Sequence, residues 1–145
     1  MKANTKTEVE VMAVINQFIE SFQKQDLDGN LALYASDDDV VTIGTGADEK
    51  CVGLAEIKAE GERAFAQSEM RSIQLSWYSV SAAGAVAWVA SEGIIQAKVG
   101  GQEISFPIRL TFVLERRGER WLIVQLHGSL PAAGQNKGES WPTRP

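Results

Sequence analysis

Hydrophobic and polar residues alternate over two consecutive runs near the end of the chain, from Phe106 to Pro131. Ile108, Leu110, Phe112 and Leu114 alternate on the way out, and Leu122, Val124 and Leu126 on the way back. A period of two over that length predicts half-buried strands, and the glycine-containing break at Arg116-Arg117-Gly118-Glu119 predicts a hairpin. Upstream, Ile73, Leu75, Trp77 and Ser79 alternate, Ala82-Ala83-Gly84 turns, and Val86, Trp88, Ala90 and Glu92 alternate back. Lys98 to Gln102 forms the turn into the last hairpin.

The amino-terminal part has a helical period. Val11, Val14, Ile15, Phe18 and Phe22 make one apolar stripe behind Thr7-Glu8-Val9-Glu10, whose spacing is that of a capping box, so the first helix is predicted to start at Thr7. Asp26 to Gly29 ends it, Asp28 caps a short second helix through Leu31 and Leu33 to Tyr34, and Ser36 to Asp39 is a solvated turn. Val40 to Ile43 reads as a short strand, with Asp48-Glu49-Lys50 on the loop behind it. Gly44-Thr45-Gly46 lacks the Lys-Ser/Thr of a phosphate loop. A third helix is predicted from Gly53 to Gln67. Gly61 inside it costs about 1 kcal/mol against alanine, so either close packing requires it or the helix is weak there.

Three helices and one short strand followed by a meander of long strands predict an α+β fold, with the helices on one face of a strongly curved, mainly antiparallel sheet and a pocket between them. Residues 1–131 form one domain and 132–145 a polar tail, in which Trp141 is a candidate anchor. The chain has 145 residues and a net charge of -5 without any basic run, which argues against nucleic acid as a partner. The single cysteine, Cys51, excludes an intrachain disulfide and a multi-cysteine metal site. No run reaches the ~18 apolar residues of a membrane span, and no export signal is visible, so a cytoplasmic protein is expected.

Several segments together resemble a known group of proteins: Leu33-Tyr34-Ala35, Val52-Gly53-Leu54, Val86-Ala87-Trp88-Val89, and Arg109-Leu110-Thr111 leading to Trp121-Leu122-Ile123-Val124-Gln125-Leu126-His127-Gly128-Ser129. Over residues 8 to 131 the chain is similar to SnoaL-like members of the nuclear transport factor two superfamily, which also holds ketosteroid isomerases and scytalone dehydratase. The resemblance implies a cone-like sheet closed by helices around a pocket, usually in a homodimer; no cofactor and no metal are expected. It does not imply one reaction. Where ketosteroid isomerases carry a carboxylate base, Val41-Thr42-Ile43-Gly44 has none, and one histidine cannot supply the pair of a scytalone dehydratase.

His127 is the candidate general acid or base, or else a structural histidine. Arg109 is a candidate for holding a carboxylate or enolate-like oxygen, or else an ion-pair partner. Trp88 and Glu92 are read on the other face, beside Leu110, Phe112 and Leu126, where burial would raise the pKa of Glu92 and suit it to moving a proton. Tyr34, Trp88, Arg109, Phe112 and Leu126 are the candidate ligand contacts. Trp77 and Trp121 read as core or interface aromatics.

Register separates these sets. An even hairpin loop would set Leu114 opposite Trp121, whereas an odd one, made by a bulge, would put Arg109 and Thr111 on one face with Gln125 and His127. We read the odd register: the oily face lines the pocket, and the polar face is convex and meets a second subunit. Three functions fit. The first is a module binding a small apolar molecule with a carbonyl or carboxylate. The others are a cofactor-free isomerase, cyclase or dehydratase using His127 or Glu92, and a pure assembly domain.

Overall fold

A computed structural model describes residues 1–144. The first helix, α1 (Thr5–Gln23), starts earlier than the capping-box spacing suggests, because Asn4 caps it by accepting from the Thr7 amide. Asp26, not Asp28, caps α2 (Leu27–Leu31) through the Gly29 amide. The chain then forms β1 (Val41–Ile43) and β2 (Lys50–Val52), which places Lys50 in a strand rather than a loop. Next comes α3 (Leu54–Ala66), followed by the long strands β3 (Met70–Ala83), β4 (Val86–Val99), β5 (Gln102–Arg117) and β6 (Arg120–Ser129). The six strands lie in the order β2-β1-β6-β5-β4-β3, with only the β1–β6 pair parallel. The sheet is curled but not closed, and the helices cover its inner face.

Two bulges decide which residues face the helices. The turn between β5 and β6 holds two residues, so Arg117 pairs with Arg120, Arg116 with Trp121 and Leu114 with Ile123. Val124 is then skipped, and beyond it Val113 pairs with Gln125, Phe112 with Leu126 and Thr111 with His127. Near the tip it is therefore Trp121 and Ile123 that are buried, not Leu122 and Val124. Past the bulge Leu126 takes over the inner face, and Arg109, Thr111, Gln125 and His127 share the outer one.

The second bulge interrupts β3 between Leu75 and Trp77. It keeps Ile73 inward but turns Trp77, opposite Glu92, to the outside, where it is 52% exposed. Opposite the bulge stands Gly93, where a Cβ would lie 2.4 Å from the Gln74 carbonyl oxygen. Gly61 is also a packing glycine, since a Cβ there would come within 2.7 Å of Leu27 Cδ1.

The core lies between α1 and the middle of the sheet. Val11, Ile15 and Phe18 of the helical stripe meet Val89, Phe112, Leu114 and Ile123, and Phe18 packs edge-on to Phe112 at 5.4 Å. Trp121 Nε1 donates to Glu10 at 3.1 Å, tying β6 to α1. The segment after α2 joins the same strand, because the Ile123 amide donates to Leu33 and the Ala35 amide to Ile123. The acidic turn holds the hairpin tip through Asp37 and Arg117, while Arg120 donates to the Ala32 carbonyl at 3.2 Å.

Arg71 fastens the helix ends. Its guanidinium is buried and meets no carboxylate among the described residues. Instead it donates to the Phe22 carbonyl at 3.2 Å and to the Ser68 carbonyl and hydroxyl at 3.1 and 2.8 Å. It also lies over the rings of Phe65 and Phe22, 4.8 and 5.8 Å from their centroids. Trp141, at 80% exposure, does not anchor the tail to this subunit. Replacing Arg71 by Met keeps the volume but strips charged donors from two carbonyls, and should lower stability by about 2 kcal/mol. An unchanged urea midpoint would show that Arg71 does not hold the helix ends.

Candidate functional site

Between the helices and the inner face of the curled sheet lies a cavity of about 250 Å³. Its floor is Ile73, Ile95, Ile108, Leu110, Leu126 and Gly128, one row across the four long strands. Its roof is helical: Phe18 and Phe22 from α1, Leu27 and Asn30 from α2, and Ile57, Glu60, Ala64 and Phe65 from α3. Thr42 to Thr45 and Glu49 close one side. Those residues reach the floor because β1 runs parallel to β6, with Thr42 beside Leu126 and Ile43 beside His127.

The polar groups in this wall are few. Tyr34 is held by the bridge of its backbone to Ile123 and is only 6% exposed. Its hydroxyl has no hydrogen-bond partner among the described residues, yet none of their fully enclosed side-chain polar atoms lacks one, so the oxygen faces open cavity. Burial pushes its pKa well up, with the Glu60 carboxylate adding to the effect, so the phenol stays protonated and serves as a donor. Asn30 donates its amide to Ser21 Oγ at 3.0 Å and to the Phe18 carbonyl at 3.4 Å, which fixes its place in the wall.

Glu60 is the acid the sequence reading passed over. It is half-buried on the cavity side of α3, and burial lifts its carboxyl above the ordinary carboxylate range. Glu49 and Asp48 push the same way and Arg63 opposes them. The surroundings hold little to balance it, because Arg63 is bound to Asp48 at 2.7 and 3.3 Å. Glu49 lies 3.9 Å from Arg63 and accepts the Gly46 amide at 2.8 Å. The only sequence signal for Glu60 was its helical position three residues after Ile57, one turn along the inner side of α3.

Of the earlier candidates, Tyr34 and Leu126 line the cavity. Phe112 faces the same side but is 1% exposed and sealed under Phe18. The other four lie outside. The β4–β5 register pairs Glu92 with Arg109 and Trp88 with Val113, which places Trp88 and Glu92 on the outer face, not beside Leu110, Phe112 and Leu126. The inner positions of β4 from Ala87 to Gly93 are small ones, Ala87, Val89, Ser91 and Gly93. Arg109 is exposed and donates to Ser129 Oγ at 3.0 Å and the Leu130 carbonyl at 2.8 Å, pinning the end of β6. His127 is exposed on the same outer face, opposite Thr111.

Comparison with known proteins agrees with this geometry. The SnoaL-like domain family matches residues 11–133. The chain belongs to that family.

Solved structures of nuclear transport factor two-like proteins share the fold of this SnoaL-like domain. One from Salmonella enterica superposes with a TM-score of 0.84 at 21% identity, covering 96% of this chain and 100% of that one. A proposed dehydratase from Streptomyces avermitilis gives 0.81 at 21% identity, covering 90% and 100%. A proposed aromatic ring hydroxylase from Novosphingobium aromaticivorans gives 0.81 at 16% identity, covering 90% and 93%. At such identities the likeness is one of fold, and the neighbours' differing names leave the reaction unassigned. No curated protein matches the chain. No helix among the described residues is long and apolar enough to cross a membrane.

A carboxyl whose folded pKa is raised binds its proton more tightly when folded, so it loses stability as pH rises from the unfolded toward the folded value. Glu60→Gln removes that loss. The variant should melt higher than the parent at pH 7, with the gain vanishing below the ordinary carboxylate range. Scanning calorimetry at pH 7 and pH 4 checks this, and a lower melting temperature at pH 7 would contradict it.

Proposed function

We propose that this SnoaL-like domain is a binding module for one small, predominantly apolar molecule carrying a single hydrogen-bonding group. The observation that carries the reading is the unpartnered, buried Tyr34 hydroxyl in a cavity otherwise walled by phenylalanine, isoleucine and leucine side chains. A buried donor without an acceptor costs stability unless something in the cavity accepts its hydrogen bond. The volume equals about eight waters at ~30 Å³ each, enough for a two-ring aromatic. The alternative of an isomerase, cyclase or dehydratase driven by His127 or Glu92 loses support, since both side chains lie on the outer face. A pure assembly role leaves the cavity unexplained.

For a probe we choose 1-naphthalenemethanol, which is uncharged, fluorescent and of the right size. It should bind saturably at one site per chain, and Ala64→Trp, which fills the roof, should abolish binding while the far-ultraviolet circular dichroism stays unchanged. Thr45→Trp at the exposed rim should weaken it without touching the core. The reading fails if the probe does not saturate, or if it binds equally well to both variants.

A second observation favours dimerisation through the outer face of the sheet, as we expected of the convex face. Trp77 and Ile94 are 52% and 48% exposed there beside Glu92, and half-buried Trp88 and Val113 lie farther along the same face. Adjacent apolar side chains of this size on an open sheet face mark a contact surface, and the neighbouring Glu92 and Arg109 offer charges of opposite sign to a two-fold-related copy. Trp77→Lys and Ile94→Lys should each convert a dimer to a monomer in sedimentation equilibrium without lowering the melting temperature of the fold. A monomeric parent protein would rule the interface out.

A further inference from the structure

We propose that the ligand of the cavity is a cation, a small aromatic or aliphatic amine whose ammonium group is held by the Glu60 carboxylate while its hydrocarbon body lies among the phenylalanine rings. The proposal rests on the reading of the cavity as a ligand site and narrows the ligand class.

The charge of the wall has one sign. Glu49 and Glu60 line the cavity, and no lysine, arginine or histidine does. The nearest base, Arg63, is already bound by Asp48. Glu49 is partly satisfied by the Gly46 amide, whereas Glu60 accepts no hydrogen bond and makes no ion pair among the described residues. A half-buried carboxylate facing hydrocarbon without a donor is a costly arrangement that a cation relieves. An anionic ligand would meet two carboxylates instead, which removes the carboxylate option entertained for the ligand from the sequence.

The remaining wall suits an amine as well. Phe18 presents its ring to the same volume, and aromatic faces attract ammonium groups, whereas Phe22 and Phe65 already face the Arg71 guanidinium. The second, independent sign of a ligand is the Tyr34 hydroxyl, buried, unpartnered and open to the cavity. The groups around Glu60 are Asp48 and Glu49 from the β1–β2 loop, Arg63 and Glu56 from its own helix, Lys50 from β2, which lines a surface hollow with it, and Tyr34 from the segment after α2. Cys51 of β2 is buried, and burial pushes its thiol up, so it brings no charge. The balance is negative, and it favours a positive guest.

The test compares three isosteres with the full chain at pH 7.5: 1-naphthylmethylamine, 1-naphthalenemethanol and 1-naphthoic acid, titrated by calorimetry. The amine should bind about tenfold tighter than the alcohol or better, as one charge-assisted contact implies, and the acid weakest. Glu60→Gln should reduce the amine to the affinity of the alcohol and leave the alcohol unchanged. Lowering the pH until Glu60 protonates should weaken the amine alone, since the amine stays charged throughout. If the alcohol binds as tightly as the amine, or if Glu60→Gln leaves their ratio intact, the cation proposal is overturned and the ligand cavity stands. If none of the three saturates, the cavity reading itself falls, and this proposal with it.

Discussion

The sheet of this protein is covered by helices on one side only, and two skipped residues keep that side hydrophobic along its whole length. Without the bulge at Val124, the two-residue turn would carry its register through the whole hairpin, and the β6 residues facing Phe112 and Leu110 would come from the other parity. The bulge in β3 does the same for the far edge, turning Trp77 out and keeping Ile73 in. Bulged strands bend and twist more than regular ones, so the same two devices that sort the side chains also curl the sheet. The cavity follows from the curl, because a flat sheet would meet the helices along its full width.

The cavity is held open by groups around its rim rather than by its lining. Arg71 ties the end of α1 to the end of α3, and Asp48 and Arg63 tie the β1–β2 loop to α3. Trp121 and Glu10 hold β6 to α1. The apolar side chains between these ties are thus free to leave a gap, at the cost of the dispersion contacts they forgo. The Tyr34 hydroxyl and the Glu60 carboxyl, neither with a hydrogen-bond partner among the described residues, belong to residues that line that gap.

The outer face has the opposite character. Glu92, Arg109, Thr111, Gln125 and His127 form a polar surface with Trp77 and Ile94 at its edge. It is separated from the cavity by the thickness of the sheet. His127, the only histidine of the sequence, stands on this face, away from the cavity.

The sequence by itself determined the order of elements, the α+β class, the helical stripe and the family resemblance. Each of these is written in local periodicity or in a short run such as Trp121 to Ser129. It also named Tyr34 and Leu126 as candidates for the wall of a pocket, and favoured a shared face for Arg109, Thr111 and His127. Only the tertiary structure decided the rest. Whether Glu92 points in or out depends on which residue of β5 it opposes, a partner seventeen positions away. A single skipped residue in β3 reverses Trp77 while leaving the alternation in the sequence intact. Glu60 looked like any solvated helix charge, because its half-buried state is created by the sheet that curls beneath α3. Local pattern fixes what a segment is, whereas the two-residue period of a strand makes its facing hostage to register, and register is set between segments.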